Sequence, residues 1–393
     1  MASLCLVAGD PSGDAHAARL VEALRRRDPT LTCAGLGGPK MREAGVQLLC
    51  DLTQASAIGP FDAARHLGRL VEAKRIFERH LVASAPEAVV FVDFGDFNLP
   101  VLAPIAKRHG CRVLYFISPQ IWAWGRFRLR WVRRCVDRML VLFKFEERFY
   151  QDAGVPVTWV GHPLAEAVPP SIGREEAQQR LGLNVWRMTI GLLPGSREQE
   201  VRRLLPLLSK AAAQIAWEMP GAQFLVPKAP GVSDALIQRI VARAGVTVSA
   251  VEGQMTTCLA AMDAAIVASG TATLETAWAS VPMVVVYKTS WPTYLAAKAV
   301  VRVPHIAIVN LIAGRTIVPE FIQHRATPAR IAREIVSILR SDERRASMQE
   351  SFHRLRDELG PPGALDRAAR IIAEELTAPR DARPGTQPLR CYI

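Results

Sequence analysis

The strongest constraint on this chain is an alternation that runs through it twice: a short aliphatic run of β type, a turn of small residues, then a longer amphipathic stretch. Residues 4–8 precede an amphipathic stretch at 15–27, residues 88–92 one at 99–109, and residues 112–116 one at 126–137. The pattern restarts at 189–193 and continues through 223–226, 264–268 and 281–287. Continuous apolar strands separated by helix-length segments belong to parallel sheets covered on both faces, because parallel neighbours need a crossover. The expectation is an α/β protein with two Rossmann-like lobes. A length of 393 residues agrees, being too long for one ordinary core. An apolar share of 50% with 22% charged residues excludes a disordered or fibrous chain.

Several function classes drop out next. Aliphatic runs such as 88–92, 139–143 and 283–287 are far shorter than the roughly 20 residues a membrane-crossing helix needs. Residues 4–8 have no basic leader and run into a turn, so they read as a first strand rather than a signal peptide, and a cytoplasmic location is expected. Cys5, Cys33, Cys50, Cys111, Cys135, Cys258 and Cys391 form no CxxC pair and have no histidine at zinc spacing, which predicts reduced structural thiols and no metal site. The net charge of +12 favours an anionic partner: nucleic acid, a phosphorylated substrate or an anionic membrane. Prolines in 161–164 and 168–171 mark the interlobe linker, which divides an acceptor lobe at 1–165 from a second lobe at 166–345. Strand-end loops of two facing lobes would then share one crevice.

The turns carry the candidate chemistry. The first strand ends in Gly9, Ser12, Gly13 and Asp14 just before a helical stretch, where small residues and helix N–H groups can admit a substrate. A second glycine turn lies at 35–39, and neither turn has the G-x-G-x-x-G fingerprint. The strand at 89–92 delivers Asp93, followed by Asp96 and Asn98; burial and a neighbouring carboxylate raise a carboxyl pKa towards neutrality, as a general base needs. Asp93 is the expected base, with Asp96 as the next candidate and Asp96 or Asn98 as a helix cap. In the second lobe, Gly195 lets backbone approach a diphosphate, Ser196 can cap the following helix, and Arg197 can neutralise a departing nucleotide or form a structural ion pair. Ser269, Gly270, Thr271 and Thr273 open another helix as a phosphate loop, with Glu275 placed to accept from ribose hydroxyls. Two such loops suggest a nucleotide diphosphate. A Walker-type loop and a DxD-like pair are both missing from this lobe, so neither ATP nor an obligatory metal is indicated.

Taken together, the stretches 9–14, 35–45, 93–98, 117–124, 145–150, 161–164, 193–197, 268–275 and 310–323 occur in the order found in one family, and the chain resembles lipid-A-disaccharide synthase from residue 4 to about 373. The resemblance implies a GT-B fold and an inverting transfer of 2,3-diacylglucosamine from UDP-2,3-diacylglucosamine to 2,3-diacylglucosamine 1-phosphate (lipid X), giving lipid A disaccharide 1-phosphate and UDP. By position it makes Asp93 and Arg197 the essential pair. It adds Ser118, Gln120, Trp122, Asn310 and Arg315 to the acceptor or cleft set, and implies no cofactor beyond the donor's UDP. It further implies a homodimer and C-terminal helices at 346–377 that pack back on the first lobe, while the tail at 378–393, with its Pro, Arg and Gly and no periodicity, reads as loosely ordered. Departures stand at Asp10-Pro11, Phe94-Gly95, Ile308-Val309-Asn310 and residues 57–62.

Lipid substrates would be collected at the cytoplasmic face of the inner membrane, which requires an apolar surface with a basic rim. Ile58, Phe61, Leu67, Leu70, Val71 and Phe77, flanked by Arg65, Arg69, Lys74, Arg75 and Arg79, form one candidate; a core-facing helix is the alternative. Arg126, Arg130, Arg133 and Arg134, near Trp122, Trp124 and Trp131, form another. An epimerase or peptidoglycan glucosaminyltransferase on the same fold would explain the second lobe but not 118–124. An RNA-binding module would explain the arginines but leave Asp93, Arg197 and Glu275 without a task, so no nucleic-acid partner is expected.

Overall fold

A computed structural model describes residues 3–53, 63–123, 125–166, 172–301 and 303–378. The aliphatic runs named above all fall on strands, and further strands that those runs did not mark join them at the sheet flanks to give two parallel sheets. The first contains Ser3–Ala8 (β1), Thr32–Gly37 (β2), Gln47–Asp51 (β3), Ala88–Val92 (β4), Arg112–Phe116 (β5), Arg138–Val141 (β6) and Val157–Trp159 (β7), in the order β3-β2-β1-β4-β5-β6-β7. The second contains Thr189–Leu193 (β8), Gln223–Lys228 (β9), Ser249–Glu252 (β10), Ala264–Ala268 (β11), Met283–Tyr287 (β12) and Glu320–Ile322 (β13), in the order β10-β9-β8-β11-β12-β13. Both orders reverse next to their first strand, at β1/β4 and at β8/β11, and an open parallel sheet forms its ligand crevice at such a reversal.

β4 and β11 are buried along their whole length, the signature of strands covered on both faces. Alternate residues of the first sheet feed two cores: Val89 and Phe91 join Phe77, Leu102 and Tyr115 on one face, while Val90 and Val92 join Leu20, Val21, Leu24 and Ile372 on the other.

Two compact units result, residues 1–163 with 362–393, and residues 164–361. The first boundary lies within the Gly-His-Pro-Leu stretch read as a linker. The expected break at 346 needs correcting, because it falls inside the helix Asp342–Glu358, which belongs to the second unit. That helix buries Met348, Phe352 and Leu355, and Met348 Sδ accepts from Met283 N at 3.3 Å. Of the two C-terminal helices, it is Ala364–Thr377 that returns to the first unit. It places Leu365, Ala368, Ala369 and Ile372 in the core shared with the helix Pro11–Arg27. Polar contacts pin it there: Arg26–Asp366 at 3.0 Å, Arg138–Glu375 at 2.9 Å, and Arg367 Nε donating to Val160 O at 2.8 Å.

Candidate active site

The carboxyl ends of β1, β4 and β5 converge on Asp93. Two consecutive residues, Asp93 and Phe94, adopt left-handed backbone with φ of +47° and +50°, a conformation that costs a non-glycine residue roughly 1–3 kcal/mol. The surroundings enforce it. The Asp93 carbonyl accepts from Tyr115 Oη at 2.5 Å and from Asn98 Nδ2 at 2.9 Å. A Cβ at Gly9 would lie 2.1 Å from the Phe94 ring, and one at Gly95 2.4 Å from Pro119. The glycines therefore let the neighbouring turns close on this strained pair. Burial, reinforced by the charge of Asp10, pushes the Asp93 carboxyl up to about 7, against the opposing hydrogen bond from the Phe94 N–H. A carboxyl poised there can exchange a proton near neutral pH.

The neighbours differ from expectation in instructive ways. Asp96 is 65% exposed and paired with Arg128, away from the burial that tunes Asp93. Asn98 is fully buried and braces the Asp93 carbonyl rather than facing a substrate. Asp14, expected in the crevice, is buried; its carboxylate accepts from Gly38 N at 2.8 Å, Lys40 N at 3.0 Å and Met41 N at 3.1 Å, and so ties the two glycine turns together. Asp10 caps the first helix by accepting from Gly13 N at 2.5 Å, leaving Ser12 exposed and Gly13 buried. Ser118 is buried against Tyr150 Oη at 2.7 Å, and Gln120 is exposed. Trp122 donates through Nε1 to Glu146 at 3.0 Å. Burial raises Glu146 to about 7 as well. Nothing in the sequence singles out this acid, since a glutamate two residues into a helix normally faces water.

In the second unit β8 runs into Gly195, Ser196 and Arg197. Gly195 has φ of +116°, and a Cβ there would meet Glu200 Oε2 at 2.3 Å. The helix Glu198–Glu218 is not capped by Ser196: Glu200 Oε2 reaches back to accept from Ser196 N at 2.9 Å and Arg197 N at 3.2 Å. Arg197 is 60% exposed and only distantly paired with Glu200 at 4.0 Å, so its guanidinium has hydrogen-bonding capacity to offer a ligand.

β11 delivers the second loop, where Gly270 and Thr271 are exposed. Thr273 Oγ1 donates to Gly270 O at 2.7 Å and is buried, so this hydroxyl closes its own turn instead of facing phosphate. Ser269 Oγ donates to Ile306 O at 3.1 Å. Glu275 is half-buried, and desolvation raises its pKa. Asn310 is likewise structural: its Oδ1 accepts from Ile317 N at 2.7 Å and Val318 N at 3.0 Å, while Nδ2 donates to Val318 O and Glu320 Oε1. Arg315 is exposed and donates to Ser351 Oγ at 3.2 Å.

The helix Ala63–Ser84 divides the expected membrane stripe. Phe77 is core and Leu70 packs against that core, whereas Leu67 is 65% and Val71 42% exposed beside exposed Arg69. Ile58, Phe61, the side chain of Arg65 and Trp124 lie outside the described residues. Arg126, Arg130, Arg133 and Arg134 are exposed; Arg130 stacks on Trp131 at 4.0 Å, and Arg133 Nε donates to Ala153 O at 2.7 Å. Among the described residues no helix is long and apolar enough to cross a membrane, and no three His, Cys, Asp or Glu side chains form a metal cluster.

The family model for lipid-A-disaccharide synthetase matches residues 4–374. Lipid-A-disaccharide synthase of Geobacter sulfurreducens is 41% identical over 373 residues, covering 95% of this chain and 97% of that protein. The enzyme of Syntrophus aciditrophicus is 42% identical over 365 residues, covering 93% and 95%. Among solved structures, Acinetobacter baumannii MurG aligns with a TM-score of 0.57 at 14% identity, covering 95% of this chain and 100% of its own. UDP-GlcNAc 2-epimerase of Neisseria meningitidis aligns with a TM-score of 0.61 at 13% identity, covering 96% and 99%. At such identities these two show the GT-B fold alone. The chain belongs to the lipid-A-disaccharide synthase family and is a glycosyltransferase of GT-B fold.

Proposed function

We propose that the protein transfers 2,3-diacylglucosamine from UDP-2,3-diacylglucosamine to the 6-hydroxyl of 2,3-diacylglucosamine 1-phosphate with inversion at the anomeric carbon. The observation that carries this reading is Asp93, a buried carboxyl raised to about 7 on strained backbone at a sheet's ligand-binding edge. In the reaction its carboxylate takes the hydroxyl proton as the acceptor oxygen bonds to the anomeric carbon. The bond from that carbon to the β-phosphate oxygen breaks on the opposite face, and UDP leaves with the electron pair. Arg197, with Gly195, Ser196, Gly270 and Thr271, meets the negative charge that grows on the leaving diphosphate, and Glu275 accepts from the ribose. No metal enters, because Arg197 supplies the positive charge.

The protein works as a homodimer bound peripherally to the cytoplasmic face of the inner membrane. The exposed Leu67 and Val71 beside Arg69 support such an attachment. The test is release of UDP from UDP-2,3-diacylglucosamine in detergent micelles with and without the monosaccharide 1-phosphate, followed by mass analysis of the lipid. Acceptor-dependent release with a tetra-acylated disaccharide phosphate is the expected result. UDP binding without that product would sink the reaction while leaving the fold intact.

A further inference from the structure

A cavity of about 520 Å³ opens in the second unit, lined by Arg174, Asp263, Arg345, Gln349, His353 and Arg356 among others. Its lining residues Asp263 and Pro282 immediately precede β11 and β12, so it lies at the amino ends of the strands. The loops after β8 and β11 leave the opposite ends, and five residues at about 3.3 Å each set the two regions roughly 16 Å apart. The cavity is therefore distinct from the candidate nucleotide loops.

Its charge is unbalanced: three guanidiniums line it against one carboxylate, and both oxygens of that carboxylate already have partners. Asp263 Oδ1 accepts from Arg174 Nε at 2.8 Å, and Oδ2 accepts from Thr189 N at 2.8 Å. Arg345 is tethered to the backbone carbonyls of Ile338 and Leu339 and to Asp342, whose side chain is 95% exposed. Arg356 donates to Ser280 Oγ at 2.8 Å and to the Trp278 carbonyl, with its guanidinium 5.3 Å from the Trp278 ring centroid. Its Nε is buried and has no hydrogen-bond partner among the described residues. Gln349 Nε2 donates to Ser280 O at 3.2 Å, and His353 Nδ1 lies 3.5 Å from Arg356 Nη1. The wall thus offers fixed donors and a net positive charge, and each oxygen of its carboxylate already accepts a hydrogen bond. Guanidiniums held in fixed orientations are suited to the oxygens of a phosphate.

We propose that this cavity binds a phosphate-bearing anion, with Arg345 and Arg356 as its ligands and the Arg174–Asp263 pair as a rigid wall. The anion is either a soluble phosphate compound or the headgroup of an anionic lipid; both present the same group. The decisive experiment titrates inorganic pyrophosphate into the full chain kept in saturating UDP, by calorimetry, and repeats it with Arg345→Gln and Arg356→Gln. Arg356→Gln also releases the Trp278 carbonyl and Arg345→Gln the Ile338 and Leu339 carbonyls, so each variant's binding is read only once its thermal unfolding matches the parent's. Vesicles of phosphatidylglycerol, against phosphatidylcholine alone, form the second arm.

Pyrophosphate binding that persists in UDP and weakens about tenfold or more in Arg345→Gln, as loss of one charged hydrogen bond would produce, supports a soluble ligand. Phosphatidylglycerol-dependent sedimentation lost in the same variant supports a headgroup. If UDP abolishes pyrophosphate binding and vesicle binding is the same in the variants as in the parent, the proposal fails. Because the readout is dependence on Arg345, it stands or falls separately from the glycosyl-transfer assay.

Discussion

At the scale of single residues the chemistry rests on how one carboxyl is held. Asp93 needs burial to raise its pKa, and the fold supplies that burial at the cost of two left-handed residues fixed by Tyr115, Asn98, Gly9 and Gly95. A pKa raised from 3.8 to about 7 means the folded protein holds this proton more tightly than the unfolded chain. Asp93 therefore lowers stability as pH rises through this interval, and the full cost is present above about 7. As base it must be ionised, so kcat/KM should fall about tenfold per pH unit below that value. Glu146 titrates in the same range, and Asp10→Asn separates the two. This variant keeps an oxygen to cap Gly13 N but removes the second-largest cause of the Asp93 shift, so the acid limb should move to lower pH. Asp93→Asn should abolish turnover, retain UDP binding and melt higher than the parent above pH 7. An unmoved limb in Asp10→Asn, measured as a pH profile of kcat/KM, would assign the titration elsewhere.

At the scale of elements, the helix Ala364–Thr377 shows how distant sequence completes a core. Its apolar face closes the layer over the helix Pro11–Arg27, while its ion pairs sit at the rim. Apolar burial should dominate. Ile372→Ala, at a position with no solvent exposure, should cost about 3 kcal/mol in urea unfolding. Arg26→Ala, whose pair with Asp366 is 62% and 55% exposed, should cost less than about 1 kcal/mol. Equal losses from the two variants would mean that the helix is held by charge rather than by packing. The helix Ala63–Ser84 makes the complementary point. Its periodicity announced an apolar face, and the structure splits that face between core residues and the exposed pair Leu67 and Val71.

At the scale of the whole molecule, the two units differ in how the chain builds them. Residues 164–361 form one continuous segment, whereas the first unit needs 1–163 together with 362–393. A fragment of residues 164–361 should therefore unfold cooperatively and bind UDP in calorimetry while turning over nothing, since it lacks Asp93. Residues 1–163 alone should expose Leu20, Val21 and Leu24 where the last helix belongs, and should aggregate. A 164–361 fragment without a cooperative transition would show that the units depend on each other to fold.

What the sequence determined by itself was the central strands of each sheet and the two-lobe α/β plan, because buried parallel strands must be continuously apolar and four of them match their aliphatic runs residue for residue: Ala88–Val92, Arg112–Phe116, Thr189–Leu193 and Ala264–Ala268. It also singled out Asp93 and Arg197 as candidates, since a strand end and a glycine turn are local features. It could not assign Asp14, Asn98, Thr273 and Asn310, which look like ligand-binding residues but are buried and hydrogen-bond to backbone groups of their own turns or of loops brought near by folding. Nor could it find Glu146, or the arginines at 174, 345 and 356 that meet in one cavity. Whether a polar side chain is free for a ligand depends on which donors and acceptors packing brings beside it. That is decided by contacts between residues far apart in sequence, and so by the tertiary structure alone.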